Sequence, residues 1–181
     1  MSQDEEVRIR SAKTGDAPEI ANVHLNSWRE AYKGLLPQKF LDQLPLTFKK
    51  RMNWWEKVIS NPSEFVLQVA EDKAGVIGFA CFHAGRDQGM EALAEVEAIY
   101  ILEKFKGRGI GFSLLSSGLK QMKERGFFEA YCWVLEGNPT IKFYERSGAK
   151  FTGQIKHDEI SGQKVKELAY RWESLEIGDK L

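Results

Sequence analysis

Ile99-Tyr100-Ile101-Leu102-Glu103-Lys104-Phe105-Lys106-Gly107-Arg108-Gly109-Ile110-Gly111 carries an apolar, strand-like stretch through a short basic loop into a segment of helical spacing. Glycines stand at 107, 109 and 111, with Lys106 and Arg108 beside them. Glycine lets the backbone approach a ligand closely. The first N–H groups of a helix have no partner within it, and the helix dipole adds positive potential at that end. Such a loop is an anion site, and a pyrophosphate is its natural guest. The spelling is neither a G-x-x-x-x-G-K-(S/T) nucleotide loop nor a complete G-x-G-x-x-G fingerprint, and glycines at a strand-to-helix junction also serve packing alone.

Outward from this loop, the spacing predicts a strand over 94–101 before it and a helix over about 109–125 after it. A strand at 130–134 and a helix over about 139–147 follow. A terminal hairpin, 150–160 and 164–172, turns through Ser161-Gly162. Upstream, two strands at 65–70 and 76–82 are joined by a tight turn through Asp72-Lys73-Ala74-Gly75, and the 94–101 strand should lie beside them. Val7 to Arg10 alternates like a first strand. Gly15-Asp16-Ala17-Pro18 then offers an Asp cap and an early proline for a helix to about Tyr32, and two further helices are expected around 40–44 and 47–59. No repeat, low-complexity tract or linker interrupts this order. An α/β domain with a mixed sheet over 7–175, after a polar tail at 1–6, is the economical organisation.

Composition narrows the partners. The 181 residues suffice for one sizeable core, and 26 basic against 26 acidic side chains leave no excess charge for a nucleic-acid backbone or an anionic membrane. No apolar run approaches the roughly 20 residues of a membrane-spanning helix, and the first residues, Met1-Ser2-Gln3-Asp4-Glu5-Glu6, are acidic where a secretory signal is basic and then apolar. A cytoplasmic protein is expected. Cys81 and Cys132 each lie in an apolar strand-like run and lack a CxxC neighbour, so both are expected to be reduced core residues, and no metal site is expected.

The loop resembles motif A of the GNAT superfamily of acetyltransferases, (Q/R)-x-x-G-x-(G/A), which follows the fourth strand and holds the pyrophosphate of coenzyme A. The match is Lys106-x-x-Gly109-x-Gly111, with lysine where the family has Gln or Arg. A second stretch, Glu136-Gly137-Asn138-Pro139-Thr140-Ile141-Lys142-Phe143-Tyr144-Glu145-Arg146-Ser147-Gly148-Ala149, is similar to the family's motif B, N-x-x-x-x-x-(F/Y)-Y-x-x-x-G-(F/A). Ile9-Arg10 and Asp16 before a helix resemble the family's first strand and helix, so the likeness spans nearly the whole chain. It implies a central mixed, mostly antiparallel twisted sheet flanked by helices, and acetyl transfer from acetyl-coenzyme A, the cosubstrate, to a primary amine. The alternative it leaves is a noncatalytic acetyl-coenzyme A-binding sensor of the same fold.

By this resemblance, backbone groups of Ile99, Tyr100 and Ile101 face the acetyl and pantetheine arms, the loop from Lys106 through Gly107, Arg108, Gly109 and Ile110 to Gly111 cradles the pyrophosphate, and Asn138 bonds the pantetheine arm. Tyr144 is the expected general acid near the sulfur. An amine attacks only after losing its ammonium proton, so a base is required. Strand alternation predicts Glu95, Glu97 and Ile99 on one face. Glu95 lies where family members with a glutamate base on this strand have theirs, and Glu97 is the alternative, either carboxylate acting directly or through a water. His24, Trp28 and Tyr32 would stack along one helix face as a substrate wall, or as core. The segment from Ser27 to Pro37 resembles one found in bacterial members that include polyamine acetyltransferases. Acceptors in reach of this chemistry are small-molecule and peptide amines, and a homodimer is compatible with it.

Overall fold

The computed structural model describes residues 6–177; most of the expected tail at 1–6, and positions 178–181, lie outside the described residues. Strands are β1 (Arg8–Ser11), β2 (Val66–Asp72), β3 (Gly75–Ala84), β4 (Ala94–Ile101), β5 (Ala130–Leu135), β6 (Lys150–Ile160) and β7 (Gln163–Trp172). Helices are α1 (Ala17–Ala31), α2 (Gln38–Gln43), α3 (Phe48–Ile59), α4 (Ile110–Glu124) and α5 (Ile141–Arg146), with single 3-10 turns at Leu44–Thr47 and Glu103–Phe105. Asp16 precedes α1 as expected but does not cap it. Its carboxylate accepts instead from Lys13 N at 2.8 Å and from the Arg10 guanidinium at 2.7 and 3.1 Å, which ties the start of the helix to the edge strand.

All strands join one seven-stranded sheet in the order β1-β2-β3-β4-β5-β7-β6. Only β4 and β5 run parallel, because the chain crosses between them through α4. One face packs α1 and α3 over Leu67, Val69, Phe79, Cys81 and Ala98, with Trp55 of α3 buried against Phe79. The other face packs α4, whose Ile110, Leu114, Leu115, Leu119 and Met122 recur at helical spacing against Val66, Ala80, Phe82, Val96 and Ile99. Leu114, Leu115 and Leu119 are wholly buried, and each such side chain contributes about 1.5–3 kcal/mol. Cys81 and Cys132 are buried and unpaired. Among the described residues no helix is long and apolar enough to cross a membrane.

Two irregularities shape the sheet's centre. Cys81 of β3 faces Ala98 while its neighbour Phe82 faces Val96, which leaves Glu97 as an extra residue on β4. This bulge keeps Glu97 on the face of Glu95 but turns Ile99 over, so Ile99 packs toward α4 and not beside the two glutamates as unbroken alternation predicts. The second irregularity is a parting of strands. β4 pairs with β5 only at Ala94 with Ala130 and at Glu95 with Tyr131, whereas β5 stays paired with β7 out to Leu135. Beyond Glu95 the β5-facing edge of β4 is open.

Candidate active site

The open edge offers backbone donors. Leu102 N–H donates to Ile77 O of β3, and N–H directions alternate along a strand, so the Tyr100 N–H also points into the β3 ladder while those of Ile99 and Ile101 point into the gap. At the end of β4 the chain passes Lys106 and enters α4. Gly107 and Gly109 hold φ of 76° and 75°, the left-handed region natural to glycine. No acceptor among the described residues takes the N–H groups of Gly107, Arg108, Gly109, Ile110 or Gly111. Gly111 serves a different end: a Cβ there would lie 3.1 Å from Ile101 Cδ1 and 3.4 Å from the Phe143 ring, so its bareness lets α4 close on the strand and on α5. Lys106 is ion-paired with Glu103, and Arg108 reaches Lys104 O at 3.3 Å over the Phe105 ring. Both side chains are exposed, and the cradle itself is backbone.

On the α1 and α3 face, carboxylates gather at the last paired rung. Glu95 is buried, with Tyr131 Oη 3.0 Å from its Oε2, Arg86 Nε at 3.5 Å and His83 Nδ1 at 3.8 Å. Tyr131 Oη also lies 2.8 Å from Asp87 Oδ2, and Asp87 is held by Trp133 Nε1 at 2.9 Å and by the Lys156 ammonium. Burial, Asp87 and Glu95 raise the Tyr131 pKa, so the phenol keeps its proton. Glu97 faces His83 Nε2 at 3.5 Å, Arg86 Nη2 at 3.4 Å and Cys81 Sγ at 3.5 Å. Burial works to raise the Glu97 pKa, but His83 and Arg86 outweigh it and the pKa is lowered. Burial likewise works against the His83 cation, yet Glu97 and the Ala84 carbonyl, 2.7 Å from Nδ1, leave its pKa raised.

Phenols line the gap. Tyr32 and Tyr100 meet oxygen to oxygen at 3.2 Å, and burial raises the pKa of each. Tyr144 of α5 is buried; burial first, then Cys132 and Tyr32, lift its pKa well above 10.0. Among the described residues its hydroxyl has no hydrogen-bond partner. Asn138 spends its side-chain oxygen on Thr140 N at 2.9 Å, steadying the turn into α5, and its amide nitrogen has no acceptor among the described residues. The His24, Trp28 and Tyr32 rings do meet in sequence along the helix, but edge to face and not stacked, at 5.6 and 4.9 Å between centroids, while His24 stacks on the Tyr100 ring at 5.3 Å. Trp55 braces this wall from beneath, while Trp54 is exposed against Phe65.

Comparison with known proteins settles the lineage. Residues 25–149 match the model of the acetyltransferase (GNAT) family. The chain belongs to that family. The N-acetyltransferase YuaI of Bacillus subtilis (strain 168), named as uncharacterized, is 34% identical over 169 residues, covering 93% of this chain and 94% of that protein. A probable N-acetyltransferase of Mycobacterium tuberculosis, Rv2775, is 26% identical over 91% of this chain and 92% of its own. Among solved structures, the PaiA N-acetyltransferase of Thermoplasma acidophilum in complex with coenzyme A superposes with a TM-score of 0.72 at 19% identity, covering 92% of this chain and 99% of that one. YncA of Salmonella typhimurium with acetyl-coenzyme A gives 0.70 at 18% identity, covering 96% of each chain. These likenesses carry the fold: a mixed sheet, mostly antiparallel, flanked by helices.

The protein is thus a GNAT acyltransferase, and its fold brings most of the sequence-derived residues to one gap. Glu95 sits on the last rung that β4 and β5 share, the glycine loop follows β4, Asn138 and Tyr144 follow β5, and the ring wall lies against Tyr100 of β4. The Tyr100 N–H points into the β3 ladder and not into the gap, and the Tyr100 phenol meets Tyr32 of the ring wall. Sequence reasoning missed His83, Arg86, Asp87, Tyr131 and Lys156, which surround the glutamates, and Arg51, which lies against His24. His83 alone carried a signal: it shares strand parity with Cys81 next to a strand bearing two glutamates.

Proposed function

We propose that this GNAT protein transfers the acetyl group of acetyl-coenzyme A to the primary amine of a small molecule, polyamines being one such class by the resemblance of its Ser27–Pro37 segment. Two structural neighbours hold coenzyme A or its acetyl thioester, which supports that cosubstrate here. The free amides of 107–111 at the start of α4 suit its pyrophosphate, and the open edge of β4 suits the pantetheine arm.

The observation that carries the reading is a hydrogen count. Tyr131 has one phenolic proton and two carboxylate neighbours, Asp87 at 2.8 Å and Glu95 at 3.0 Å. A single proton delivered to Glu95 completes the chain, with Glu95 donating to Tyr131 and Tyr131 to Asp87. In the reaction the ammonium gives that proton to Glu95, directly or through water. The freed lone pair attacks the thioester carbon, Ile99 and Ile101 N–H groups stabilise the oxyanion, and the C–S bond breaks as Tyr144 protonates sulfur, while the acylated nitrogen gives its second proton to water and becomes the neutral amide. Solvent then restores the Tyr144 proton and takes the one on Glu95. Glu97, already committed to His83 and Arg86, is the second candidate base.

A noncatalytic sensor would need the glycine loop and Asn138 but no buried carboxylate held by a phenol, so the Glu95 network favours the enzyme. The test is release of free thiol from acetyl-coenzyme A across a panel of amines. Coenzyme A binding without thiol release from any amine would make the protein a sensor.

A further inference from the structure

Arg51 of α3 is a cation without an anion. It is half-buried, and among the described residues it pairs with no carboxylate. Its Nε lies 3.3 Å from Thr47 Oγ1, its Nη1 lies 3.0 and 3.4 Å from the two His24 ring nitrogens, and its guanidinium carbon sits 4.9 Å from the centre of the Trp28 ring. His24 cannot serve as a full partner. Burial and the Arg51 charge hold its pKa at about 3, so the ring is neutral and offers one lone pair. Two obligate donors claim that lone pair: Arg51 Nη1, and Trp55 Nε1 at 3.3 Å from Nδ1. Trp28, against which the guanidinium lies, has a buried Nε1 that acts on the Tyr100 phenol outside good hydrogen-bond geometry, so it offers Arg51 its ring face and no acceptor.

N–H groups therefore outnumber acceptors at this end of the wall, and a buried donor left unmade costs about 1–3 kcal/mol. Glu97, with Glu95 on the same face of β4, stands within electrostatic reach of the same His24 ring. Carboxylates and a cation thus both stand around His24, the glutamates where an amine must lose its proton and Arg51 on α3. A polycation would meet repulsion from Arg51, whereas a carboxylate matches its planar fork through two parallel N–H···O bonds. The coenzyme's own phosphates have their cradle at α4, which packs on the opposite face of the sheet.

We propose that the acceptor is a small zwitterion of amino-acid type, whose carboxylate sits on Arg51 while its amine faces Glu95 and Glu97. This deepens the N-acetyltransferase reading and rests on it, and it sets aside the polyamines that the resemblance of Ser27–Pro37 admits.

Matched pairs test it: methionine against 3-(methylthio)propylamine, phenylalanine against phenethylamine, with spermidine as the polycation. Thiol release is measured for wild type, Arg51→Gln and Arg51→Lys, and calorimetry with coenzyme A present measures binding of the acetylated products. The expected wild-type preference for the carboxylate-bearing member is roughly 10–100-fold, expressed in KM, and it collapses in Arg51→Gln and shrinks in Arg51→Lys. Coenzyme A affinity reports that each variant is folded. Equal use of both members, preference for spermidine or the plain amines, or a preference that survives in Arg51→Gln overturns the proposal. If no amine releases thiol, the N-acetyltransferase reading fails, and product binding decides Arg51 separately: preferential binding of N-acetylmethionine, lost in Arg51→Gln, supports the carboxylate site, and its absence at millimolar concentration overturns it.

Discussion

The Tyr131 phenol oxygen lies 3.0 Å from Glu95 Oε2 on the last rung that β4 and β5 share. Backbone pairing thus fixes the carboxylate at the point where the strands part. Glu95→Gln should lower the rate of the chemical step by about 10²–10⁴-fold and leave coenzyme A affinity nearly unchanged, because the lost function is proton removal. The rise of rate with pH should flatten in the same variant. A damaging Glu97→Gln beside a silent Glu95→Gln would exchange the two roles.

Gly109 adopts φ of 75° with open space where a Cβ would stand. Strain, not collision, is what a side chain would bring there. A left-handed residue other than glycine costs roughly 1–2 kcal/mol, so the Gly109→Val loop is expected to relax away from this conformation and aim its amides elsewhere. Calorimetry should then show much weaker coenzyme A binding by a protein that still folds. Unchanged affinity would remove the loop from the cosubstrate site.

How much of this was legible depended on distance along the chain. The glycine loop and the Asn138 to Tyr144 stretch are contiguous, so their spelling carries their geometry, and the strand and helix order followed from local periodicity. The bulge at Glu97 could not be read, because it arises from how β3 pairs with β4, and its effect on Ile99 went with it. The same holds for Asp87 and Lys156, which are far apart in sequence and meet only once β6 and β7 have folded back beside β5. Asp16 erred for a subtler reason: the capping residue type was right, but Arg10 and Lys13 offered its carboxylate better partners than the helix did.

His24 makes the protein acid-sensitive. Its pKa falls from 6.5 to about 3 on folding, through burial and then the Arg51 charge. Below the unfolded value the unfolded chain binds a proton that the folded one refuses, so stability present above pH 6.5 is lost as pH falls toward 3. The slope from one proton is at most about 1.4 kcal/mol per pH unit. Chemical denaturation at a series of pH values should show a shallower acid loss in His24→Gln than in wild type. Identical slopes would mean that His24 titrates normally.

Tyr144 is expected to protonate the departing thiolate, and Tyr144→Phe isolates that role because it removes one hydroxyl and keeps the ring against Trp172 and Phe143. Burial lifts the phenol's pKa well above 10.0, so the proton is present at every working pH. With no partner for the hydroxyl among the described residues, its loss leaves no described group unpaired and stability should hold. General acid catalysis contributes about 10²–10⁴-fold, but thiols are far more acidic than amines and sulfur leaves fairly readily unaided, so a loss at the small end is expected. A steady-state assay hides that loss if product release limits turnover, and rapid-quench single turnover exposes it. A single-turnover rate equal to wild type would leave Tyr144 as packing between α5 and β7, and the thiolate would take its proton from water.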